Sequence, residues 1–300
     1  MKEERRLNLS IGESISALRH FLKSFETRNK TYKIFFRGKS FDFDGFRPFN
    51  NGEDDFSAVD WKASGRSQKI MVRKYREEEE KKILFVVDTG ENMLFGSTEK
   101  LKCEYAAELV ISMADMVIKE NDRAGLILFN DKVSRIETPK RGKKQFELFV
   151  SVLSNPDNYK SGSNISSAID LMLESPMKGV SAIVLVSDFI NFDKRTKHSL
   201  ELLGNKYETI AFMIKDPIDI SLPDVGGEYI VEDPSTHQQL LIEPRLARKN
   251  YEKHALKQEE FVKQSFKEAN IDYLSLSTAS PFIFDVIEFM KRRVKKVIAI

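Results

Sequence analysis

Three hundred residues hold one large α/β domain or two modest ones, and 31% charged against 41% hydrophobic residues is an ordinary globular balance. Lys+Arg 48 against Asp+Glu 46 leaves a net charge of +2, which argues against a dedicated nucleic-acid binder. The single cysteine, Cys103, excludes an internal disulfide and a multi-cysteine zinc site. His20, His198, His237 and His254 are scattered, no apolar run is long enough to span a membrane, and the opening MKEERRLNLSIGES has no apolar signal core. The expectation is a soluble protein of a reducing, cytoplasmic compartment.

Apolar Ile15, Leu18, Phe21, Leu22 and Phe25 recur at helical spacing over about 12–26. Short extended pieces around Phe41 and Phe43 follow, then a turn at Asn50-Asn51-Gly52 and a strand at IMVRKY. At Lys82 the character changes. KILFVVDTG is a short apolar run ending in a polar loop, the mark of a strand buried on both faces. A helix over about 100–119 carries Cys103 as a packed residue. RAGLILFN is a second buried strand and KVSRIETP an edge strand, followed by helices over 142–154 and 163–174. SAIVLVSDF is a third buried strand, 194–204 a helix, and YETIAFMIKD a fourth strand. GEYIVEDPSTHQQLLIEP reads as a hairpin turning at Asp233-Pro234-Ser235-Thr236. A long helix (245–270), the strand IDYLSLS and a final helix (281–296) complete the chain.

Strands alternating with helices predict a doubly wound, mostly parallel sheet of Rossmann-like type over 81–300, with a small β-containing lobe over 1–80. Ligands on such sheets sit beyond the carboxyl ends of the strands. Three segments should converge there: Asp88-Thr89-Gly90-Glu91-Asn92, Ser187-Asp188, and Ser161-Gly162-Ser163-Asn164-Ile165. Their carboxylates, amide and hydroxyl are the oxygen donors that Mg²⁺ or another divalent cation prefers. An aspartate closing a buried strand can equally hold its loop through backbone N–H groups. Two facing carboxylates without a cation would repel, and one would raise its pKa.

DTGEN resembles the Asp-x-Ser-x-Ser loop of von Willebrand factor A-like domains, SGSNISSAI their Gly-Gly-Thr-Asn-Ile segment, and LVSDF their terminal aspartate. The resemblance implies a metal-ion-dependent adhesion site built on Asp88, Asn92, Ser163 and Asp188. Gly90 stands where the first serine is expected and supplies no side-chain oxygen. A second block, GFRPFNNGEDDFSAVDWKASGR followed by VRKYREE, is similar to the signature of the domain-of-unknown-function 58 family through Arg47, Gly52, Asp54, Asp55, Asp60, Trp61, Arg66, Arg73 and Tyr75. Its plain reading is a charge-paired lobe packed against the sheet with Trp61 as anchor. The Glu77–Glu80 run reads as solvated, and the basic tail 291–296 as the charged end of a helix.

The family resemblance implies a non-catalytic interaction module, an adaptor for a MoxR-type AAA+ ATPase in assembling or remodelling protein complexes. No GxxxxGK[ST] occurs, so no nucleotide is expected on this chain and ATP hydrolysis would belong to the partner. The alternative is a metal-assisted hydrolase using Asp88, Asp188 and Glu91. It lacks a neighbouring histidine and a recognisable nucleophile–base pair.

Overall fold

The computed structural model describes residues 7–24, 43–50, 54, 59–75, 80–175, 178–232 and 238–298. Helix α1 (Ile11–Ser24) is followed by strand β1 (Phe43–Pro48), helix α2 (Trp61–Ser67) and strand β2 (Met71–Tyr75). Then come β3 (Lys82–Asp88), α3 (Lys102–Lys119), β4 (Arg123–Phe129), β5 (Val133–Lys140), α4 (Lys143–Leu153) and α5 (Ile165–Glu174). The remainder is β6 (Ala182–Ser187), α6 (Lys194–Lys206), β7 (Glu208–Lys215), a short α7 (Pro217–Ile220), β8 (Tyr229–Glu232), β9 (Gln239–Ile242), α8 (Pro244–Glu268), β10 (Asp272–Ser277) and α9 (Phe282–Ile298).

Six strands form the central sheet in the order β10-β7-β6-β3-β4-β5. All neighbours are parallel except β5, which returns antiparallel along β4 as the predicted edge strand. Numbered along the chain within this sheet, the order is 6-5-4-1-2-3, the doubly wound arrangement read from its far edge. The reversal point therefore lies between β3 and β6. The apolar strands split by parity. Ile83, Phe85 and Val87 face a layer containing α3, α4 and α9, while Leu84 and Val86 face α5, α6 and α8.

Helix α3 is buried along nearly its whole length, because the sheet lies on one side and the N-terminal segment on the other. Leu18 enters the same core. Arg19 grips Asp115 with two hydrogen bonds of 2.9 and 3.0 Å, and the backbone N–H groups of Asn8 and Ser10 donate to Glu104 and Glu108. Cys103 is fully buried in this packing, and burial pushes its thiol up to about 12.

The family-signature segment forms its own two-stranded antiparallel sheet, β1 with β2. Arg47 and Asp54 make a two-bond ion pair (2.5 and 2.6 Å), and that guanidinium holds the Asp54 carboxyl below the usual carboxylate range. Asp60 caps α2 by accepting from the N–H groups of Lys62 and Ala63. The expected anchor is corrected here: Trp61 is 69% exposed at the first position of α2, a helix that buries none of its residues. An aromatic heading a seven-residue helix with no buried face has nothing to pack beneath it. Arg66 is also exposed, and Arg73 and Tyr75 lie in β2. Phe25, Phe41, Asn51, Gly52, Asp55, Glu77–Glu79 and the 233–236 turn lie outside the described residues, as do the side chains of Phe21, Leu22 and Phe43 and those of the basic tail beyond Arg293.

Candidate functional site

Beyond the carboxyl ends of β3 and β6, at the reversal point of the sheet, three loops are stitched together by backbone hydrogen bonds. Thr89 N–H donates to the Phe129 carbonyl, Lys160 N–H to Thr89, Glu91 N–H to Ser161, and Asn164 N–H to Asn130. Asp88 closes β3 and Asp188 follows β6, its paired neighbour, so the two carboxylates meet at one rim. Both are buried, with 0% and 1% of their surface exposed.

The four residues expected from the sequence lie together here. Ser163 Oγ donates to Asp88 Oδ2 at 2.7 Å, Ser187 Oγ to the same oxygen at 2.6 Å, and Gly90 N–H to Asp88 Oδ1 at 2.9 Å. Asn92 Nδ2 donates to Asp188 Oδ2 at 2.8 Å. Gly90 is a packing requirement as well as a missing ligand. A Cβ there would collide with Asn92 Oδ1 and lie 2.8 Å from the Gly162 carbonyl and 2.9 Å from Ser163 Cβ. The amide of Asn92 occupies the room that a serine at position 90 would need. Phe189, next to Asp188, holds a left-handed φ of 53°, a strained conformation for a bulky residue.

The sequence reading missed the cation. Lys102 is the first residue of α3, where the helix dipole disfavours a positive charge. Its side chain is 1% exposed, yet its Nζ lies 2.7 Å from Asp188 Oδ2, 3.1 and 3.3 Å from the oxygens of Asp219, and 5.9 Å from the Phe95 ring centre. Asp219 is delivered by α7, whose cap Asp216 is held by Ser97 and Thr278. Burial opposes the charge on Lys102, but Asp188 and Asp219 outweigh it and hold its pKa above the ordinary value.

The carboxylates respond oppositely. Burial and then the charge of Asp188 push Asp88 up to about 6. Asp188 suffers the same burial, but Lys102 overcomes it and holds Asp188 below the carboxylate range. Lys215, at the end of β7, is also buried, and that burial lowers its pKa.

This donor set does not fit a divalent ion seated on Asp188. Lys102 and Asn92 both donate to its Oδ2, and the Ile190 N–H donates to its Oδ1, so the ammonium already holds the place of a counter-ion on this carboxylate. Asn92 turns its nitrogen toward Asp188, because the reverse orientation would oppose two acceptors. Its Oδ1 is buried without a hydrogen-bond partner, while the Ser163 and Ser187 hydroxyls are turned onto Asp88 Oδ2. A divalent ion about 4 Å from the Lys102 ammonium would meet about 8 kcal/mol of repulsion at an effective dielectric of about 20.

Fold and rim define a doubly wound α/β protein with a buried carboxylate pair at its switch point. The family described as "Protein of unknown function DUF58" matches residues 45–261, and the chain belongs to that family. It is 22% identical over 244 residues to an uncharacterized protein of Mycobacterium tuberculosis, covering 80% of this chain and 76% of that one. A Mycobacterium avium uncharacterized protein is 26% identical over 132 residues, 43% of this chain and 76% of that protein. Among solved structures, the conserved hypothetical protein BatB of Bacteroides thetaiotaomicron aligns at TM-score 0.48 and 15% identity, covering 72% of this chain and 99% of that one. The SpRpn10 VWA domain aligns at TM-score 0.38 and 12% identity, covering 70% and 94%.

Proposed function

We propose that the chain is a non-catalytic protein-interaction module, an adaptor that docks on a MoxR-type AAA+ ATPase in the cytoplasm and serves protein complex assembly or remodelling. The observation that carries this reading is the β8–β9 hairpin. Its cross-strand pairs Ile230–Leu241 and Val231–Leu240 fall on opposite faces, and both faces are open to solvent. Ile230 is 67% exposed, Leu240 65%, and Leu246 at the start of α8 73%. A two-stranded hairpin is marginal in water alone, and clustered exposed apolar side chains mark interaction sites. The burial of Asp88 and Asp188 supports the same reading, since a substrate has no carboxylate to reach. Among the described residues no helix is long and apolar enough to cross a membrane.

Calorimetric titration of a purified MoxR-type ATPase into the chain tests the proposal. Wild type should bind, and the double variant Ile230→Asp/Leu241→Asp should bind at least about 30-fold more weakly, as loss of a central apolar contact predicts. No wild-type binding, or equal binding by the variant, contradicts it.

A further inference from the structure

We propose that the Lys102 ammonium is the resident cation of the switch-point site, holding on Asp188 the place that the adhesion-site resemblance gives to a divalent ion. The proposal concerns the charge balance of this rim and does not depend on what the chain docks to.

Four observations converge on it. The ammonium is buried in the first turn of a helix, where the dipole opposes it, so its placement is maintained by the two carboxylates it bridges. Asp188 and Asp219 come from different strand ends, after β6 and after β7, so the lysine ties two loops together as a bound ion would. Asn92, standing at the second serine of the motif, donates through nitrogen to Asp188 Oδ2, the same oxygen that Lys102 holds, so amide and ammonium share one carboxylate oxygen. Gly90, at the first serine, leaves the room that this amide needs. The two departures from the motif and the lysine thus form one substitution: a motif serine exchanged for an amide, the clashing one deleted, and the ion replaced by a tethered charge.

The whole chain, stripped with EDTA and dialysed, is titrated with Mn²⁺ while the free-ion signal is read by electron paramagnetic resonance, and its melting is followed in parallel. Wild type should bind no Mn²⁺ dependent on Asp188 and should melt at the same temperature with EDTA, Mg²⁺ or Mn²⁺. Lys102→Ala should lose roughly 6 °C or more in EDTA, because the buried Asp188 and the part-buried Asp219 lose their counter-charge. It should recover part of that loss with Mn²⁺, bound at one ion per chain in the vacated space. One Mn²⁺ per wild-type chain, abolished by Asp188→Asn, overturns the proposal. So does a Lys102→Ala chain as stable as wild type in EDTA. Should Lys102→Ala fail to fold, the wild-type titration decides alone, and Lys102→Arg, which keeps the charge, should fold and remain indifferent to metal.

Discussion

The switch-point rim and the β8–β9 hairpin invert each other's chemistry. The rim buries charge: Asp88, Asp188 and Lys102 are almost fully enclosed and hydrogen-bonded, and Asn92 Oδ1 is a buried acceptor there without a donor. The hairpin exposes apolar surface, with Ile230, Leu240 and Leu241 in solvent. Burying ions is costly unless they are paired, and exposing leucines forgoes their transfer free energy. The contrast separates two tasks. The rim fixes the geometry of the loops, and the hairpin holds apolar side chains open to solvent.

The comparison breaks first at Asp188. Asp188→Asn leaves Lys102 buried with only Asp219 beside it, and should cost about 3 kcal/mol or more in urea denaturation at neutral pH. A loss below about 1 kcal/mol would show that the pair is not needed by the fold.

Asp88 sharpens the comparison through pH. Its carboxyl titrates at about 6 in the fold against an ordinary 3.8, so the folded chain binds this proton more tightly than the unfolded one. Its contribution to stability is therefore fully present below the ordinary value and falls by about 3 kcal/mol as pH rises through about 6. Asp188 works in the opposite sense: its stabilisation is present above the ordinary carboxylate range and is lost as pH falls through its depressed folded value. Asp88→Asn should abolish the decline between about pH 4 and pH 6 and leave the acid limb intact. Denaturation curves of both proteins across that range check the sign.

Gly90→Ser places a serine where the resembled motif has one and should cost about 1–3 kcal/mol through overpacking against Asn92, Gly162 and Ser163. Adding Asn92→Ser removes the amide collision but leaves the close approaches to the Gly162 carbonyl and Ser163 Cβ, so it should recover only part of the loss, measured by thermal melting. The smallest effect is expected at the hairpin, where Leu240→Ser should change stability by no more than about 0.5 kcal/mol because its side chain has little packing to lose.

Much of this was legible in the residues. Uninterrupted, β-branched-rich apolar runs such as ILFVV and AIVLV read as strands covered on both faces, and the aspartate that marks the rim follows each within two residues. Asn92 and Ser163 came from the resemblance of DTGEN and SGSNISSAI to the von Willebrand factor A-like loops. Lys102 was not legible, because a lysine opening a helix reads as a solvated residue and only the loop after β7 reveals its second partner. Asp216 did carry a signal, as the residue after a buried strand and before a proline, and it leads directly to Asp219. Trp61 misled for a physical reason: a lone tryptophan implies burial, but a seven-residue helix with no buried face gives it nothing to pack against.

The tethered cation can be observed directly. Proton–nitrogen correlation spectra tuned to lysine ammonium groups, recorded on ¹⁵N-labelled chain at neutral pH, should show a slowly exchanging resonance that disappears in Lys102→Arg and does not move when Mg²⁺ is added. If no protected ammonium is lost in Lys102→Arg, or if that resonance is displaced by Mg²⁺, the lysine is not the ion of this site.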